Sequence, residues 1–488
     1  MTSNTRNVVS CVVCYMLMFA TLSFGQERGL AMGEGMQLQG ALQHLVGFEP
    51  HFIAGDSSAT RVDISFRVRY DFFIFTHPFG TASNRFTANG EIGIEVLDTN
   101  DTPAARDIET IHLQSETSSA ASLKDDYYQG SATFSLHPGK YKLVYHVDDK
   151  QSERNFRDDR HMLFVPSFKQ RNAGRSSAIF VEQVPQPAST STFTLLNLGN
   201  GTELGKNTGM ILSLAQKDSA PTLHYEIIPV GGEENPSIRF SMTREERNVE
   251  HPHREELQLA NERSPAQNDT TLGTVFFPQT DISIAEVRSR SVSYRLVPHN
   301  GTKWAYGVLR TEQLLQGRYL LKIYFDGNDA AIMRQPFTVE WLDMPMSLTN
   351  LDFAVKAMQY ITTDSEYDRL QSGSLTERIK AFEAFWKQRD PTPATAYNEM
   401  MAEYFRRVDY TETAFRTLKE DNGAMTDRGK VYILNGAPSN IERLLQPNSV
   451  PKEVWTYESL KKKFYFEDQS RQGNYKLVLV ENLAGEQQ

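Results

Sequence analysis

The sequence predicts a multidomain chain with two β-sandwich (Ig-like) domains followed by an α+β domain, in which a helical half precedes a small antiparallel sheet. The chain has 488 residues, which is enough for about three domains of ordinary size. Apolar and polar residues alternate between about residues 60 and 343, whereas a helical period of 3.6 begins near residue 346. A strand pattern also occurs twice, at residues 139–148 and 317–326, and this repeat predicts two β domains of similar topology.

The first 25 residues have the features of a secretory signal peptide. Arg6 is a positive charge ahead of an apolar run of about 14 residues, and the small residues Ser23 and Gly25 place cleavage before Gln26. The run is shorter than the about 20 apolar residues that a membrane-spanning helix needs. We therefore expect an extracytoplasmic chain after cleavage near Gly25-Gln26, with no integral membrane span. An uncleaved anchor is the alternative.

The two cysteines, Cys11 and Cys14, both lie within this predicted signal peptide. The mature chain would then have no disulfide, no thiol nucleophile and no cysteine-based zinc site. A lipoprotein processed at Cys11 is the alternative, but in a lipoprotein the apolar run precedes the modified cysteine, whereas here the run follows it.

Residues 26–187 are predicted to form the first β-sandwich. Residues 62–70 are apolar at every second position, which predicts a strand with one buried face and one face in water. Residues 91–98 repeat this alternation, and turn residues follow at 99–101. Short alternating strands separated by turns are typical of β-sandwiches.

Residues 188–345 are predicted to form the second β-sandwich, which follows a proline-containing linker at 184–192. Within this domain, residues 243–271 are densely charged and have no apolar period. They include His251 and His253, which could be imagined as metal ligands. A structural metal site needs ligands that a scaffold holds in place, so we predict a solvated loop there instead.

Residues 346–488 are predicted to form the α+β domain. Short helices are expected at 350–361 and 364–371, and Ser374 with Glu377 makes the capping-box pattern that begins a longer helix. We expect that helix to end before Asp390-Pro391, and Thr392 to cap the next one with Pro393 at its first position. Four strands are expected to follow, at residues 430–434, 453–457, 463–467 and 475–480.

Several blocks of this last domain resemble the GWxTD domain, a family of bacterial exported proteins named for a Gly-Trp-x-Thr-Asp motif. The blocks occur in the family's order, at residues 385–393, 404–408, 426–433, 436–438 and 454–457. The motif itself is Gly423-Ala424-Met425-Thr426-Asp427, so Ala424 stands where the family has tryptophan. The resemblance implies a GWxTD domain at the C-terminus of an exported chain, and it implies no particular biochemical activity.

The candidate site consists of motif residues that we interpret as a structural network: Trp386, Arg389, Asp390, Pro391, Arg407, Gly423, Thr426, Asp427, Arg428, Gly429, Tyr432, Gly436, Pro438, Trp455 and Tyr457. Trp386 lies on the apolar stripe of a predicted helix and is expected in the core. The five charged members are expected to form one cluster where helices meet the sheet, because arginine binds carboxylates through two parallel hydrogen bonds. The alternative is a carboxylate site of Asp390, Glu399 and Asp427, of the kind used in glycoside cleavage.

The sequence predicts no catalytic residue, no metal and no cofactor. All eleven histidines lie between His44 and His299, so the α+β domain has neither histidine nor cysteine. A Ser-His-Asp triad, a Cys-His pair or a histidine-bound zinc therefore cannot be built within that domain. No glycine-rich phosphate loop follows a candidate strand.

The formal net charge of −10 gives no reason to expect nucleic acid as a partner. Residues 346–488 contain 19 basic and 21 acidic residues, so most of the negative charge precedes them. We expect any basic partner or divalent cation to bind to the two β domains for that reason.

These observations predict an exported, non-enzymatic interaction or scaffold protein of the bacterial cell envelope, with an envelope protein or a glycan as its partner. It would be periplasmic, associated with the outer membrane, or secreted. The alternative is an extracytoplasmic carbohydrate-active or other hydrolase, or a glycan-binding protein, that uses the carboxylate site or exposed aromatic residues such as Trp304, Tyr306 and Trp455. A third interpretation is an assembly factor that binds peptides at its sheet edges.

Overall fold

The structure is a computed structural model, and it is mostly β-sheet with a smaller helical part. It describes residues 45–53, 59–77, 85–118, 123, 126–168, 177–215, 222–230, 270–288, 291–325, 333–417, 420–446 and 449–483. The predicted signal peptide at 1–25, and most of the predicted charged loop with His251 and His253, lie outside the described residues.

The first seven strands form two antiparallel sheets that enclose one core. Their bounds are β1 (Val46–Ile53), β2 (Thr60–Arg69), β3 (Phe86–Leu97), β4 (Pro103–Ser115), β5 (Tyr127–Leu136), β6 (Gly139–Asp149) and β7 (Asn155–Val165). Sheet 1 has the order β1-β2-β5, and sheet 2 has the order β4-β3-β6-β7. Alternate residues of the two sheets, such as Ile64 and Phe66 in β2 and Ile92 and Ile94 in β3, meet in this core, as the period-two pattern requires.

The next ten strands of the described part of the chain form two further sheets. Their bounds are β8 (Ile179–Val181), β9 (Thr192–Thr194), β10 (Gly201–Glu203), β11 (Thr208–Ala215), β12 (Leu223–Pro229), β13 (Thr270–Leu272), β14 (Thr274–Arg288), β15 (Ser291–Leu309), β16 (Gly317–Phe325) and β17 (Met333–Glu340). Sheet 3 has the order β14-β15-β11-β8, with β9 beside β15, and sheet 4 has the order β10-β17-β16-β12-β13. The β10–β17 pair is parallel.

The two copies of the sequence repeat form equivalent antiparallel hairpins. In the first hairpin β6 pairs with β7, and Gly139 lies opposite Val165. In the second hairpin β16 pairs with β17, and Gly317 lies opposite Val339. Each strand therefore begins at the repeated glycine.

The polar face of β2 is buried, although the alternating pattern predicted that it would face water. Asp63 and Ser65 are both fully buried, because sheet 3 covers this side of sheet 1 and Tyr294 of β15 reaches Asp63. Sheet 3 is itself buried on both sides. Phe180 and Leu212 belong to the core shared with sheet 4, whereas Ile211 and Tyr294 lie in a core that includes Ile53 of β1.

Five α-helices follow sheet 4 among the residues that the structure describes. Their bounds are α1 (Leu351–Ala357), α2 (Asp364–Gln371), α3 (Leu375–Lys387), α4 (Glu399–Ala414) and α5 (Asp427–Asn435). The Ser374–Glu377 capping box at the start of α3 is confirmed, and Thr363 with Glu366 makes a second box at α2. Short 3-10 turns lie at Met346–Thr349, Met358–Tyr360 and Gly423–Met425.

Two predictions about these helices are wrong. The sequence predicts a helix that Thr392 caps, but α4 begins at Glu399 with Asn398 as its N-cap. The intervening segment docks on the β part instead, since the Ala396 amide donates to the Glu312 carbonyl at 2.7 Å. Residues 430–434 were expected to be a strand, but they lie in α5, which Thr426 caps.

The last sheet, sheet 5, has the order β18-β19-β20-β21. Its strands are β18 (Asn440–Leu444), β19 (Lys452–Tyr457), β20 (Lys462–Glu467) and β21 (Lys476–Asn482), all antiparallel. Trp455, Phe464 and Phe466 pack with Val431 of α5 and Phe415 in a small core. Strand β18 was not predicted, and it is exposed along its whole length.

A single hydrophobic core joins sheets 3 and 4 to the helices. It includes Phe180 and Leu321 from the β part and Trp386, Phe405 and Ile433 from the helical part. The described part of the chain contains no helix that is long and apolar enough to cross a membrane.

Candidate functional site

The Gly423–Asp427 motif closes the junction between α4, α5 and sheet 5. Gly423 lies against the end of α4 so closely that a Cβ atom there would be 2.1 Å from the Thr411 carbonyl oxygen. A Cβ atom on Gly429 would likewise be 2.2 Å from the Gly423 carbonyl oxygen. Both positions therefore require glycine, because real Cβ atoms do not approach backbone oxygen so closely.

Thr426 and Asp427 fasten the start of α5. The Thr426 hydroxyl accepts from the Gly429 amide at 3.0 Å and donates to the Gly423 carbonyl at 2.7 Å. The Asp427 carboxylate accepts from the Leu477 amide at 2.8 Å and lies 3.4 Å from the Lys476 ammonium. The first residue satisfies a free helix amide, and the second ties the helix to β21.

Ala424, at the position of the family's tryptophan, is fully buried within the shared core. Its carbonyl accepts from the Tyr360 hydroxyl at 3.0 Å. A side chain at this position therefore points into the protein, so in this chain the motif does not present an aromatic ring to a ligand.

The far end of α5 is fastened by Arg407, Tyr457 and Gly436. The Arg407 Nη1 atom donates to the Ile433 carbonyl at 3.3 Å, and the Tyr457 hydroxyl donates to the Gly436 carbonyl at 2.8 Å. Gly436 has a φ angle of +77°, which allows the chain to leave the helix, and Pro438 follows two residues later. Burial raises the pKa of Tyr457, so this hydroxyl remains a donor at neutral pH.

Arg428 connects α5 to the interior of sheet 5. Its guanidinium lies 3.3 Å from the buried Glu453 carboxylate and 4.4 Å from the centre of the Tyr475 ring. Glu453 also accepts from the Trp455 indole nitrogen at 3.2 Å and from Arg443 at 3.3 Å. This buried carboxylate is thus held by three donors, which satisfies the need of a buried charge for partners.

Trp386 lies in an aromatic cluster with Phe382, Phe385, Tyr404 and Phe405. Arg389 stacks over the Phe385 ring at 3.6 Å and donates to Glu366 at 2.9 Å. Trp386 is thus a core residue, as expected. Tyr432 similarly stacks on Tyr410, with ring centres 4.6 Å apart.

The five charged motif residues do not form one cluster among themselves, although pairing between them was expected. Arg389 pairs with Glu366 and Arg407 with Glu403, while Asp390 accepts from the Thr392 amide at 2.9 Å. Asp427 and Arg428 reach β21 and β19 as described above. Each charged side chain binds a group close to it. The motif residues therefore form separate contacts between neighbouring elements rather than one connected network.

An open groove of about 440 Å³ lies between α4 and α5. Its lining is mainly apolar: Ile361, Pro391, Met400, Tyr404, Ile433 and Leu434, with Glu399, Glu403 and Arg407 as the charged members. Met400 is 50% exposed and Leu434 is 40% exposed. Glu403 is paired with Arg407, and Glu399 accepts from the Thr392 hydroxyl.

The three carboxylates of the alternative hydrolase site do not share this groove. Glu399 lines it, whereas Asp427 lies at the opposite end of α5 and binds β21. Asp390 is engaged by the backbone of its own turn. The arrangement therefore lacks the facing carboxylate pair that glycoside cleavage uses.

The aromatic residues proposed for glycan binding are also internal. Trp304, Tyr306 and Trp455 are 1%, 3% and 1% exposed. The first two lie in the core on the outer side of sheet 3, and Trp455 lies in the core of sheet 5. None of the three can offer a stacking face to a sugar in this structure.

A buried polar cluster lies between sheets 1 and 3, and the sequence does not predict it. Asp63 accepts from Arg61 at 2.5 Å, from Thr133 at 2.8 Å and from Tyr294 at 3.0 Å. His51 bonds Ser65 at 3.2 Å and lies 3.9 Å from Glu49. Burial lowers the pKa of His51. The burial of this polar face depends on Tyr294, which is distant in the sequence. The alternating pattern of β2 therefore does not predict it.

One trio of side chains among the described residues is placed so that it could share a metal ion. Glu91, His146 and Asp148 each offer a ligand atom, and these atoms lie within 4.8 Å of one another. The trio belongs to sheet 2 and is far in the sequence from the Gly423–Asp427 motif. It was not anticipated, because its members come from two strands.

The likeness to solved structures is slight. The C-terminal domain of the Streptococcus pyogenes antigen I/II-family protein AspA is 6% identical, with a TM-score of 0.14, and the match covers 60% of this chain and 100% of that one. The C-terminal domain of the Streptococcus agalactiae AgI/II polypeptide BspA is 5% identical, with the same coverage and a TM-score of 0.13. TM-scores this low support no argument about fold or function.

The family comparison gives a definite result. No curated protein matches the chain, but residues 325–485 match the family model of the GWxTD domain. The match begins ahead of the boundary predicted at residue 346 and takes in β17 of sheet 4. The motif residues of α4, α5 and sheet 5 all fall within the matched range, and this part of the chain is therefore a GWxTD domain.

Proposed function

We propose that the chain is an exported, non-enzymatic interaction or scaffold protein of the bacterial cell envelope, without a cofactor and without nucleic acid as a partner. In this proposal two β-sandwich modules, at 26–187 and 188–345, present the GWxTD domain, which makes the partner contact. The observation that supports the contact is the groove between α4 and α5, which is apolar, open and rimmed by charges that are already paired.

The charged side chains at this groove are all engaged by neighbours, which favours a protein partner over a substrate that is chemically transformed. Exposed Met400 and Leu434 on its rim would be buried by a contact, and burial of apolar area is the main driving force of association. Catalysis would instead need a free acid or base directed at one point. We therefore infer that the occupant is an apolar segment of another envelope protein.

Crosslinking in the native envelope tests this partner contact. A photo-crosslinking residue at Met400 is expected to capture a specific envelope protein, and the same residue at Met346, which is exposed but outside the groove, is the matched control. Leu434→Glu should abolish capture at position 400, because it places a charge in the apolar contact. Equal capture from positions 400 and 346 would contradict the proposal.

The hydrolase alternative is tested on the purified chain. We expect no release of reducing sugar from cell-wall or surface polysaccharides. Release that is lost in Glu399→Gln, with the fold retained by circular dichroism, would favour the carboxylate site over the scaffold role.

Export rests on the signal-peptide features of residues 1–25. Mass spectrometry of the N-terminal peptide from the native host is expected to find a chain that begins at Gln26, in the extracytoplasmic fraction. A chain that retains Met1 in the cytoplasmic fraction would contradict export.

A further inference from the structure

We propose that Glu91, His146 and Asp148 form a binding site for a divalent transition-metal ion of the zinc class on the outer face of sheet 2. This proposal does not depend on the scaffold role or on the groove. The three ligand atoms lie within 4.8 Å of one another, and each side chain is only partly buried, so an ion can reach them from solvent.

The strand register brings the trio together. Glu91 of β3 lies directly opposite Asp148 of β6, and Gly93 lies directly opposite His146. Two carboxylates opposite each other on one face repel, and a cation shared by both would relieve this repulsion. The imidazole completes a mixed nitrogen and oxygen set on the same face.

Gly93 allows the imidazole to lie across β3. A Cβ atom at that position would be 2.0 Å from the His146 Cε1 atom and 2.5 Å from its Nε2 atom. Any other residue would therefore push the ring away from Glu91. A glycine inside a strand weakens the strand. Here the missing side chain leaves the space that the imidazole ring occupies, which explains why glycine stands at this position.

One nitrogen of the His146 imidazole is left without a hydrogen bond. Its Nδ1 atom is buried and has no hydrogen-bond partner among the described residues, and its Nε2 atom lies 3.9 Å from the Glu91 Oε1 atom. That separation is too long for a hydrogen bond. Two ligands of one tetrahedral zinc ion are about 3.4 Å apart, given metal–ligand distances of about 2.1 Å, so side-chain rotations of the trio can close the site.

The ligand set selects the class of ion. Imidazole suits zinc, copper and nickel, whereas calcium and magnesium prefer oxygen ligands alone. Three protein ligands would leave one position of a tetrahedral zinc ion for water. Lys150 is a competitor, because its ammonium lies 3.2 Å from the Glu91 carboxylate and its side chain is half exposed.

The test is a zinc titration of the tag-free full-length chain against a chromogenic chelator. Wild type is expected to bind one zinc ion at this site, and His146→Ala should weaken that affinity at least tenfold. His112→Ala is the matched control, because His112 is an exposed histidine of the same sheet outside the trio. Calcium at equal concentration should not displace zinc. Equal affinity in wild type and His146→Ala would overturn the proposal.

A second variant tests the site without removing a ligand. Lys150→Ala should tighten zinc binding severalfold and raise the zinc-dependent increase in Tm, because it removes the competing cation. Gly93→Ala should weaken binding, since it displaces the ring. Unchanged affinity in Lys150→Ala, or zinc binding that disappears only in a His251→Ala/His253→Ala double variant, would refute the site.

Discussion

Gly423 has a structural role in the motif that depends on the absence of a single atom, the Cβ. The residue touches the carbonyl oxygen of Thr411 at the end of α4 and the backbone of Phe415 and Arg416. Its own carbonyl lies against Gly429 of α5. Two glycines therefore let two helix ends meet at backbone distance, and the motif sets that distance.

Gly423→Ala is expected to destabilise the protein by about 3 kcal/mol, because rigid backbone atoms must move to admit a methyl group. The midpoint of denaturant unfolding, followed by tryptophan fluorescence, measures the change. Gly139→Ala is the control, since a Cβ atom there meets nothing closer than 3.6 Å. A loss at position 423 no larger than at position 139 would contradict the close contact.

His51 is predicted to make the stability depend on pH. Burial holds its pKa below the ordinary value of 6.5, so near and below pH 6.5 the unfolded chain binds a proton that the folded chain does not. Stability is therefore full above pH 6.5 and declines as the pH falls below it. Thermal melts between pH 7.5 and 5 should show this decline, and His51→Gln should reduce its slope. A variant with the same slope as wild type would count against this assignment.

At the level of elements, α5 depends on its caps. It has only nine residues, and helices of this length are marginal without tertiary contacts. Thr426 caps one end, while Arg407 and Tyr457 bind carbonyls at the other. The motif residues thus hold both ends of this short helix.

Thr426→Ala should cost up to about 2 kcal/mol, the upper part of the range for N-cap removal, because the hydroxyl also donates to Gly423. Thr426→Ser should restore most of the loss. Urea unfolding of the three proteins measures it, and a serine variant as unstable as the alanine variant would show that the methyl group matters more than the cap.

The sequence predicts an element well where its signal is local. The start of α3 follows from the Ser374–Glu377 pair, and three of the four strands of sheet 5 follow from alternation. Residues 430–434 were misassigned because a five-residue apolar run fits a buried helix as well as a strand. The polar cluster around Asp63 and the trio of Glu91, His146 and Asp148 each bring together residues that are distant in the chain. No local sequence pattern contains that information.

At the level of the whole molecule, sheets 3 and 4 and the helices share one core. The family match crosses the same boundary, since it includes β17. Direct contacts reinforce the junction. Gly205, with a φ angle of +77°, touches Tyr397, and Trp341 packs edge-on against the Tyr397 ring. The second β part and the helices are therefore expected to unfold together.

Calorimetry tests this shared unfolding. Leu321→Ala in β16 and Phe405→Ala in α4 should each cost about 3 kcal/mol and should lower the same transition. Phe156→Ala, in the separate core of sheets 1 and 2, is the comparison for a distant site. Separate transitions for the first two variants would show that the cores are independent.

The buried carboxylate of Asp63 has a mechanical consequence. Rotation of sheet 1 against sheet 3 would separate the Tyr294 hydroxyl from that carboxylate and leave a buried hydroxyl without its acceptor, which is costly. Asn197, just beyond the 184–192 linker, also donates to the Phe66 carbonyl at 2.8 Å. The connection between sheets 1 and 3 is therefore expected to be rigid rather than hinged. A force applied to sheet 1 would then be transmitted to sheet 3 and, through the shared core, to the helices.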